Sequence, residues 1–357
     1  MLLPKLPRIR IANLPTPLET APRLSRILGG PKILIKRDDL TGLGFGGNKV
    51  RILEFLLGDA IEKGADVVIT VGGFQSNHAR LTAAATRRAG LKPVLVLGGA
   101  REPELTGNFL LDKLLGSDIR IVLTNEPPPF AQAAFLESVA EEFRTSGMKP
   151  YIISSGGIGP FAGVAYYNCI LELYDQLVQL GQSASYIFLC SGSGGTQAGL
   201  ALGAKALQTG TEVVGISNKH PKEFLVTRIS DVANEAANLL GIKTRLLPEE
   251  IVVRDDYVGE GYGIPTEADL KAIRLAAESE GLFLDPVYTG KALAGLIDHI
   301  QKGWKGAESE TIPEYNFAEP LETDPLGREI TFPGPGGEII STKGNMLDWE
   351  KFIAMRR

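Results

Sequence analysis

The 357-residue sequence predicts an α/β protein built as two open, twisted parallel-sheet lobes with a cleft between them. Two observations carry this reading. Short apolar runs rich in Val, Ile and Leu alternate with segments whose apolar residues recur at helical spacing, the pattern of β-α-β units. The loops that follow three of those runs are rich in glycine, and ligands of such sheets sit at the carboxyl ends of strands. With 44% hydrophobic residues, the chain is long enough for one large or two medium cores.

Residues 1 to 31 read as Pro-rich and extended, with Leu14-Pro15-Thr16-Pro17-Leu18 as a rigid lead-in. A strand over 32–36 leads through a glycine-rich loop to a helix beginning near Val50. Strands over 66–71, 92–97 and 118–123 then alternate with helices over 79–89 and 108–115. Pro127-Pro128-Pro129 interrupts, and a helix over 130–145, a strand over 151–153 and a long helix over 163–179 follow. Next come a strand over 186–190, a helix over 197–207 and a strand over 212–216. Helices over 222–240 and 267–278 flank a mixed region, and 291–302 is the final helix of the pattern. No repeat of fixed period is present.

The balance of 37 basic and 42 acidic residues gives −5 without a like-charge block, so neither nucleic acid nor a membrane surface is expected as a partner. Prolines break the first residues before a signal-peptide core forms, and no run approaches bilayer-spanning length; a cytoplasmic protein is expected. Cys169 and Cys190 lie in apolar segments and read as small buried hydrophobes. His78, His220 and His299 lack ligand spacing, so no metal is expected.

Three loops carry the chemistry. Gly42-Leu43-Gly44-Phe45-Gly46-Gly47-Asn48-Lys49 delivers Lys49 to a helix N-terminus, where the dipole repels an ammonium and lowers its pKa, making it a candidate Schiff-base former. Gly42, Gly44 and Gly47 also satisfy G-x-G-x-x-G, but Arg37 to Thr41 separate them from the strand, where a dinucleotide-binding turn is tight. The phosphate-binding P-loop pattern fails at Asn48 and Val50. In Gly72-Gly73-Phe74-Gln75-Ser76-Asn77-His78, Ser76 and Asn77 cap the next helix, whose free N–H groups also suit a carboxylate or phosphate. In Ser191-Gly192-Ser193-Gly194-Gly195-Thr196-Gln197, glycines let backbone N–H groups converge on an anion while Ser193 and Thr196 add hydroxyls, which describes a phosphate cup. Tyr262 sits in a glycine-bearing loop and Tyr288 at a loop-to-helix junction; taken singly, each suits core packing better than chemistry.

Gly-Gly-Asn-Lys, Gln-Ser-Asn-His, the Gly/Ser/Thr cup and Asp285-Pro286-Val287-Tyr288-Thr289-Gly290-Lys291 occur in this order. Over about residues 10 to 302 they resemble the fold-type II pyridoxal-phosphate enzymes of the D-cysteine desulfhydrase and 1-aminocyclopropane-1-carboxylate deaminase group, whose lobes are tryptophan synthase β-like. The resemblance implies a large cofactor-binding domain from 1–51 and 164–302, a small domain over 52–163, and a homodimer. It implies that Lys49 holds pyridoxal 5'-phosphate and shuttles the Cα proton. Asn77, Gly192, Ser193, Gly194, Gly195 and Thr196 would bind the phosphate, and Ser76 would hydrogen-bond the substrate carboxylate or assist proton transfer. Tyr288 and Tyr262 would line the amino-acid pocket. The implied reaction is β-elimination, with D-cysteine as first candidate; the alternatives are cyclopropane ring opening, a sulfo-lyase acting on L-cysteate, and a cofactor-binding homologue without catalysis. Thr289 stands where the deaminase branch carries a glutamate near the pyridine nitrogen, which favours the desulfhydrase branch. A sulfo-lyase would need an extra cation, and the motifs supply none.

Two departures stand out. Ile52 occupies a position where family members often carry a second basic residue near the phosphate. After Lys302 no His-Thr-Gly-Gly motif appears, and 303–357 reads as turns or a hairpin, with prolines at 313, 320, 325, 333 and 335 opposing a long central strand, and a short helix is expected near 346–355. This atypical tail is expected to be peripheral, with turnover weak or absent as a result.

Overall fold

Two parallel sheets with helices packed on both faces organise the computed structural model, which describes residues 5–125 and 128–303. The first described elements form a small antiparallel ribbon of β1 (Leu18–Thr20) and β2 (Leu34–Lys36), joined through α1 (Pro22–Ile27). The extended reading of residues 1 to 31 is therefore corrected. Pro22 opens a six-residue helix at a position where its missing N–H costs nothing, and Leu24 is buried beneath it. One apolar anchor in so short a segment leaves no periodic signal.

The first large sheet follows α2 (Lys49–Glu62). It comprises β3 (Val67–Gly73), β4 (Lys92–Gly99), β5 (Asp118–Leu123) and β6 (Pro150–Ile153), connected by α3 (Asn77–Arg88), α4 (Gly107–Leu114) and α5 (Pro128–Thr145). Strand order is β5-β4-β3-β6, all parallel, with Val67 opposite Lys92 and Pro150. Alternate residues of β3 face opposite sides, as a doubly covered sheet requires. Val67, Ile69 and Val71 pack against Leu136, Val139 and Phe143 of α5, while Val68 packs with Leu53 and Leu57 of α2 and Leu81 of α3. The chain leaves β3 toward β4 on one side and returns as β6 on the other. The loops after β3 and β6 thus diverge at a topological switch point, the crevice where such sheets bind ligands.

The second sheet follows α6 (Pro160–Gln179). Its strands β7 (Tyr186–Ser191), β8 (Glu212–Ser217) and β9 (Val252–Arg254) are parallel in that order, with α7 (Gly195–Ala206) and α8 (Lys222–Leu240) between them. The mixed region of the sequence thus contains β9, too short at three residues to show alternation. Val213 and Val253 pack with α6, α7 and α8 in the largest core, and Ile216 meets α10 on the opposite face. The described chain closes with α9 (Glu267–Glu280) and α10 (Thr289–Gln301). Helix α2 joins the two halves, since Ile52 and Phe55 enter the largest core while Val50, Leu53 and Leu57 belong to that of the first sheet.

Among the described residues no helix is long and apolar enough to cross a membrane, and no cluster of potential metal ligands occurs. Cys169 and Cys190 are unpaired, and burial pushes the Cys169 thiol up to about 12. The expected tail, from its prolines to its helix near 346–355, lies outside the described residues.

Candidate active site

The Ser76 loop and the cup lie at the carboxyl ends of the parallel strands β3 and β7, the Lys49 loop follows β2 of the antiparallel ribbon, and together they line one cavity of about 2780 Å³. The first sheet contributes the loops after β3 and β6. The second contributes the cup after β7, Asn218 and Lys219 after β8, and the Tyr262 loop after β9.

Lys49 is the first residue of α2. The loop before it depends on glycine at Gly46, where φ is +73° and an added Cβ would fall 1.8 Å from the Asp39 carbonyl oxygen. A polar foot beneath fixes that loop. Arg51, buried one turn along α2, donates to both Asp38 and Glu172, and Lys36 also donates to Glu172. Thr16 and Tyr166 donate their hydroxyls to Asp38. Burial alone would raise Glu172, but the Arg51 and Lys36 hydrogen bonds overcome it and hold the carboxyl at about 2.

The Lys49 ammonium reaches the Gly156 carbonyl in the loop after β6 at 2.8 Å and has no carboxylate partner among the described residues. It keeps some exposure to the cavity, yet protein surrounds it closely enough that desolvation lowers its pKa to about 8. The direction matches the sequence expectation, whereas the leading cause is burial rather than the helix dipole. A Cβ placed on Gly156 would lie 3.6 Å from Ser193 and 3.8 Å from the Lys49 Nζ, so only this glycine separates the lysine from the cup.

In the cup, Gly194 has φ +90° and caps α7, which begins at Gly195, two residues before the sequence pattern suggested. Gly195 and Thr196 therefore occupy the first turn, where N–H groups have no intrahelical acceptor. Asn48 donates to the Thr196 hydroxyl at 3.2 Å, tying the lysine loop to the cup. Gly192 lies beside Asn218, whose Oδ1 would be 3.1 Å from a Cβ at that glycine.

Across the cavity, Ser76 caps α3 by accepting from the Ala79 N–H, which leaves its own hydroxyl proton to donate. Asn77 accepts from the Asn108 amide at 2.9 Å, so its own NH2 is directed elsewhere. Asn108 is itself fixed by Gln75 on two atoms and by Arg80, which also donates to the Gly46 carbonyl. His78 is a neutral structural residue. Burial, then the Lys49 charge, lower its pKa to about 3, and because Thr70 donates to the Ile153 carbonyl, the His78 Nε2 carries the proton between them.

The two tyrosines meet. Their phenolic oxygens are 2.6 Å apart and their rings pack edge to face. Tyr288 lies against the cup, 3.8 Å from a Cβ at Gly192. The Tyr262 loop is tethered by a clasp that sequence reasoning missed. Lys291 and Asp269, both fully buried, form a 2.9 Å ion pair, and the same ammonium donates to the carbonyls of Tyr257, Val258 and Ile264. Thr289 also lines the cavity. Its hydroxyl donates to Asp285 and accepts from the Asp285 N–H, an ordinary turn at the start of α10.

The geometry thus brings together Lys49, Ser76, Asn77, the cup, Tyr262 and Tyr288, with Gln75, Arg80, Asn108, Lys291 and Asp269 as supports. A partner thirty residues or more away along the chain, as Asn108 is from Asn77, carries no local signal. Residues 9–311 match the family described as pyridoxal-phosphate dependent enzyme. A D-cysteine desulfhydrase of Klebsiella pneumoniae is 40% identical over 309 residues, covering 85% of this chain and 92% of that protein. A Pyrococcus horikoshii protein provisionally named 1-aminocyclopropane-1-carboxylate deaminase is 43% identical, covering 85% of this chain and 90% of the other. The crystal structure of an ACC deaminase homologue superposes with a TM-score of 0.78 at 42% identity, covering 85% of this chain and 89% of that one.

Proposed function

This chain belongs to the pyridoxal-phosphate dependent enzymes, and within that family we propose that it catalyses β-elimination from a small amino acid, converting D-cysteine and water to pyruvate, ammonia and hydrogen sulfide. Pyridoxal phosphate is its cofactor, and the residues fit it. The cup offers free N–H groups and the Ser193 and Thr196 hydroxyls to a phosphate. Buried Ser191 Oγ and Asn218 Oδ1, both lining the cavity, have no hydrogen-bond partner among the described residues and suit the polar atoms of a ring. When bound, the cofactor supplies an electron sink for the substrate's α-carbon.

The observation that carries this reading is Lys49: an amine with its pKa lowered to about 8, one glycine away from the cup. An amine so tuned is neutral in part near physiological pH, so it can form a bond to a carbonyl and later accept the α-proton. Ser76 and the N–H groups at the start of α3 orient the substrate carboxylate, and the NH2 of Asn77 is held ready by Asn108. The Tyr262–Tyr288 pair lines the substrate side.

The choice between branches rests on the segment after Tyr288. Thr289 is neutral, and Asp285, the nearby carboxylate, already accepts from the N–H groups of Val287, Tyr288 and Thr289 and from the Thr289 hydroxyl. No free carboxylate in this segment is therefore offered to a pyridine nitrogen, which favours loss of a good leaving group over ring opening. Assay of the holoenzyme should show pyruvate and sulfide from D-cysteine and negligible ring opening of 1-aminocyclopropane-1-carboxylate. Ring opening at a comparable rate reverses the choice, and absence of both reactions in protein retaining cofactor leaves a non-catalytic homologue.

A further inference from the structure

Near Tyr262 and Phe224 the cavity carries two cationic side chains and a histidine that no described acid neutralises. Lys219 lies over the Tyr262 ring, 5.5 Å from its centroid; Arg228 lies over Phe224 at 5.5 Å; and the His220 ring packs against the same Phe224 at 4.6 Å. All are half-buried and line the cavity. Rings alone hold these side chains, which make no hydrogen bond or ion pair with any described residue. The acids lining the same cavity are engaged elsewhere: Asp38 with Arg51, Asp39 with Arg37, and Asp285 within its own turn. Burial lowers the proton affinity of all three, and at His220 the charges of Lys219 and Arg228 lower it further.

Aromatic faces fix such cations while leaving their N–H donors unused, and a cleft lined by one sign of charge concentrates the opposite sign. The cofactor's phosphate has its own cup after β7, whereas Lys219 meets the tyrosine pair on the substrate side. We propose that Lys219 and Arg228, with the His220 ring beside them, form an anion-receiving rim that admits, besides D-cysteine, amino acids whose β-substituent is itself an anion, such as a phosphate ester. The proposal rests on the β-elimination reading and extends its substrate class. In such a substrate the α-C–H bond breaks with its proton passing to Lys49, the C–H electron pair becomes the new Cα–Cβ bond, and the β-substituent departs with its own bonding pair. The rim stabilises that departing anion, and water then hydrolyses the enamine to pyruvate and ammonia.

The test uses holoenzyme and two probes of similar shape, O-phosphoserine and the uncharged O-acetylserine, each as both enantiomers. Binding is measured by calorimetry and turnover as pyruvate release. The wild type should favour O-phosphoserine by about tenfold or more in affinity, and Lys219→Gln combined with Arg228→Gln should bring the preference close to unity while O-acetylserine is handled as before. Equal treatment of the two probes by the wild type, or equal loss of both in the variant, overturns the rim. Weakened retention of the cofactor with the charge preference intact also overturns it, by assigning the cations to the cofactor's phosphate. Lack of pyruvate from either probe, with the binding preference present and charge-dependent, instead counts against the elimination reading and leaves the rim standing.

Discussion

Two groups of cations flank the cavity and are built in opposite ways. At the foot of α2, Arg51 and Lys36 are matched by Asp38 and Glu172, and the network is nearly closed by the hydroxyls of Thr16 and Tyr166. At the opposite side, Lys219 and Arg228 have only ring faces. Buried ions with complete partners set a backbone in place, whereas cations without partners leave interaction capacity for something that arrives later. Lys49 stands between the two designs: it sits above the closed network, yet a single backbone carbonyl is its hydrogen-bond acceptor.

The largest expected effect breaks the comparison at that middle point. Lys49→Ala should lower turnover by about a thousandfold or more and remove the cofactor's visible absorption band, while thermal unfolding stays near wild type. A variant that keeps activity within about tenfold of wild type would show that Lys49 is not the reacting amine. Arg51→Met attacks the closed foot. It leaves Asp38 and Glu172 without their buried partner and should cost about 3–5 kcal/mol of stability in denaturant unfolding. Lys219→Gln should cost little by the same measurement; equal losses at the two positions would erase the distinction drawn here.

A smaller effect is expected at the cup, where Thr196→Ala removes one hydroxyl donor along with the acceptor used by Asn48. Cofactor retention in dialysis should weaken by about 1–3 kcal/mol. Unchanged retention would place the phosphate elsewhere. The gentlest probe is acid. Folded Glu172 titrates at about 2 against an ordinary 4.5, so the folded state takes up that proton at lower pH than the unfolded chain. Its contribution is complete above about pH 4.5 and fades as pH falls toward about 2, and Glu172→Gln should flatten that part of the stability profile.

Much of this was legible in the chain. Repeated apolar runs and helical spacing located β2 and six of the seven strands of the two parallel sheets, and five of those seven located strands end at loops lining the cavity, because strand and helix periodicities are local properties. Glycine and short polar residues marked the Lys49, Ser76 and Thr196 loops, since backbone geometry and helix capping are also written within a few residues. β1 with the short α1, and β9, escaped notice because segments of three to six residues give too few periods.

What the tertiary structure alone decided is which groups face one another. The Thr289 hydroxyl, adjacent in sequence to the cavity-lining Tyr288, turns back on Asp285, while Asn108 travels from another helix to steady Asn77. The lowered pKa of Lys49 comes chiefly from burial, which depends on what the rest of the chain packs around it. Lys219, His220 and Arg228 carry no motif along the sequence; only the fold sets them against Tyr262 and Phe224 at the cavity, because through-space neutralisation depends on separations that linear spacing does not encode.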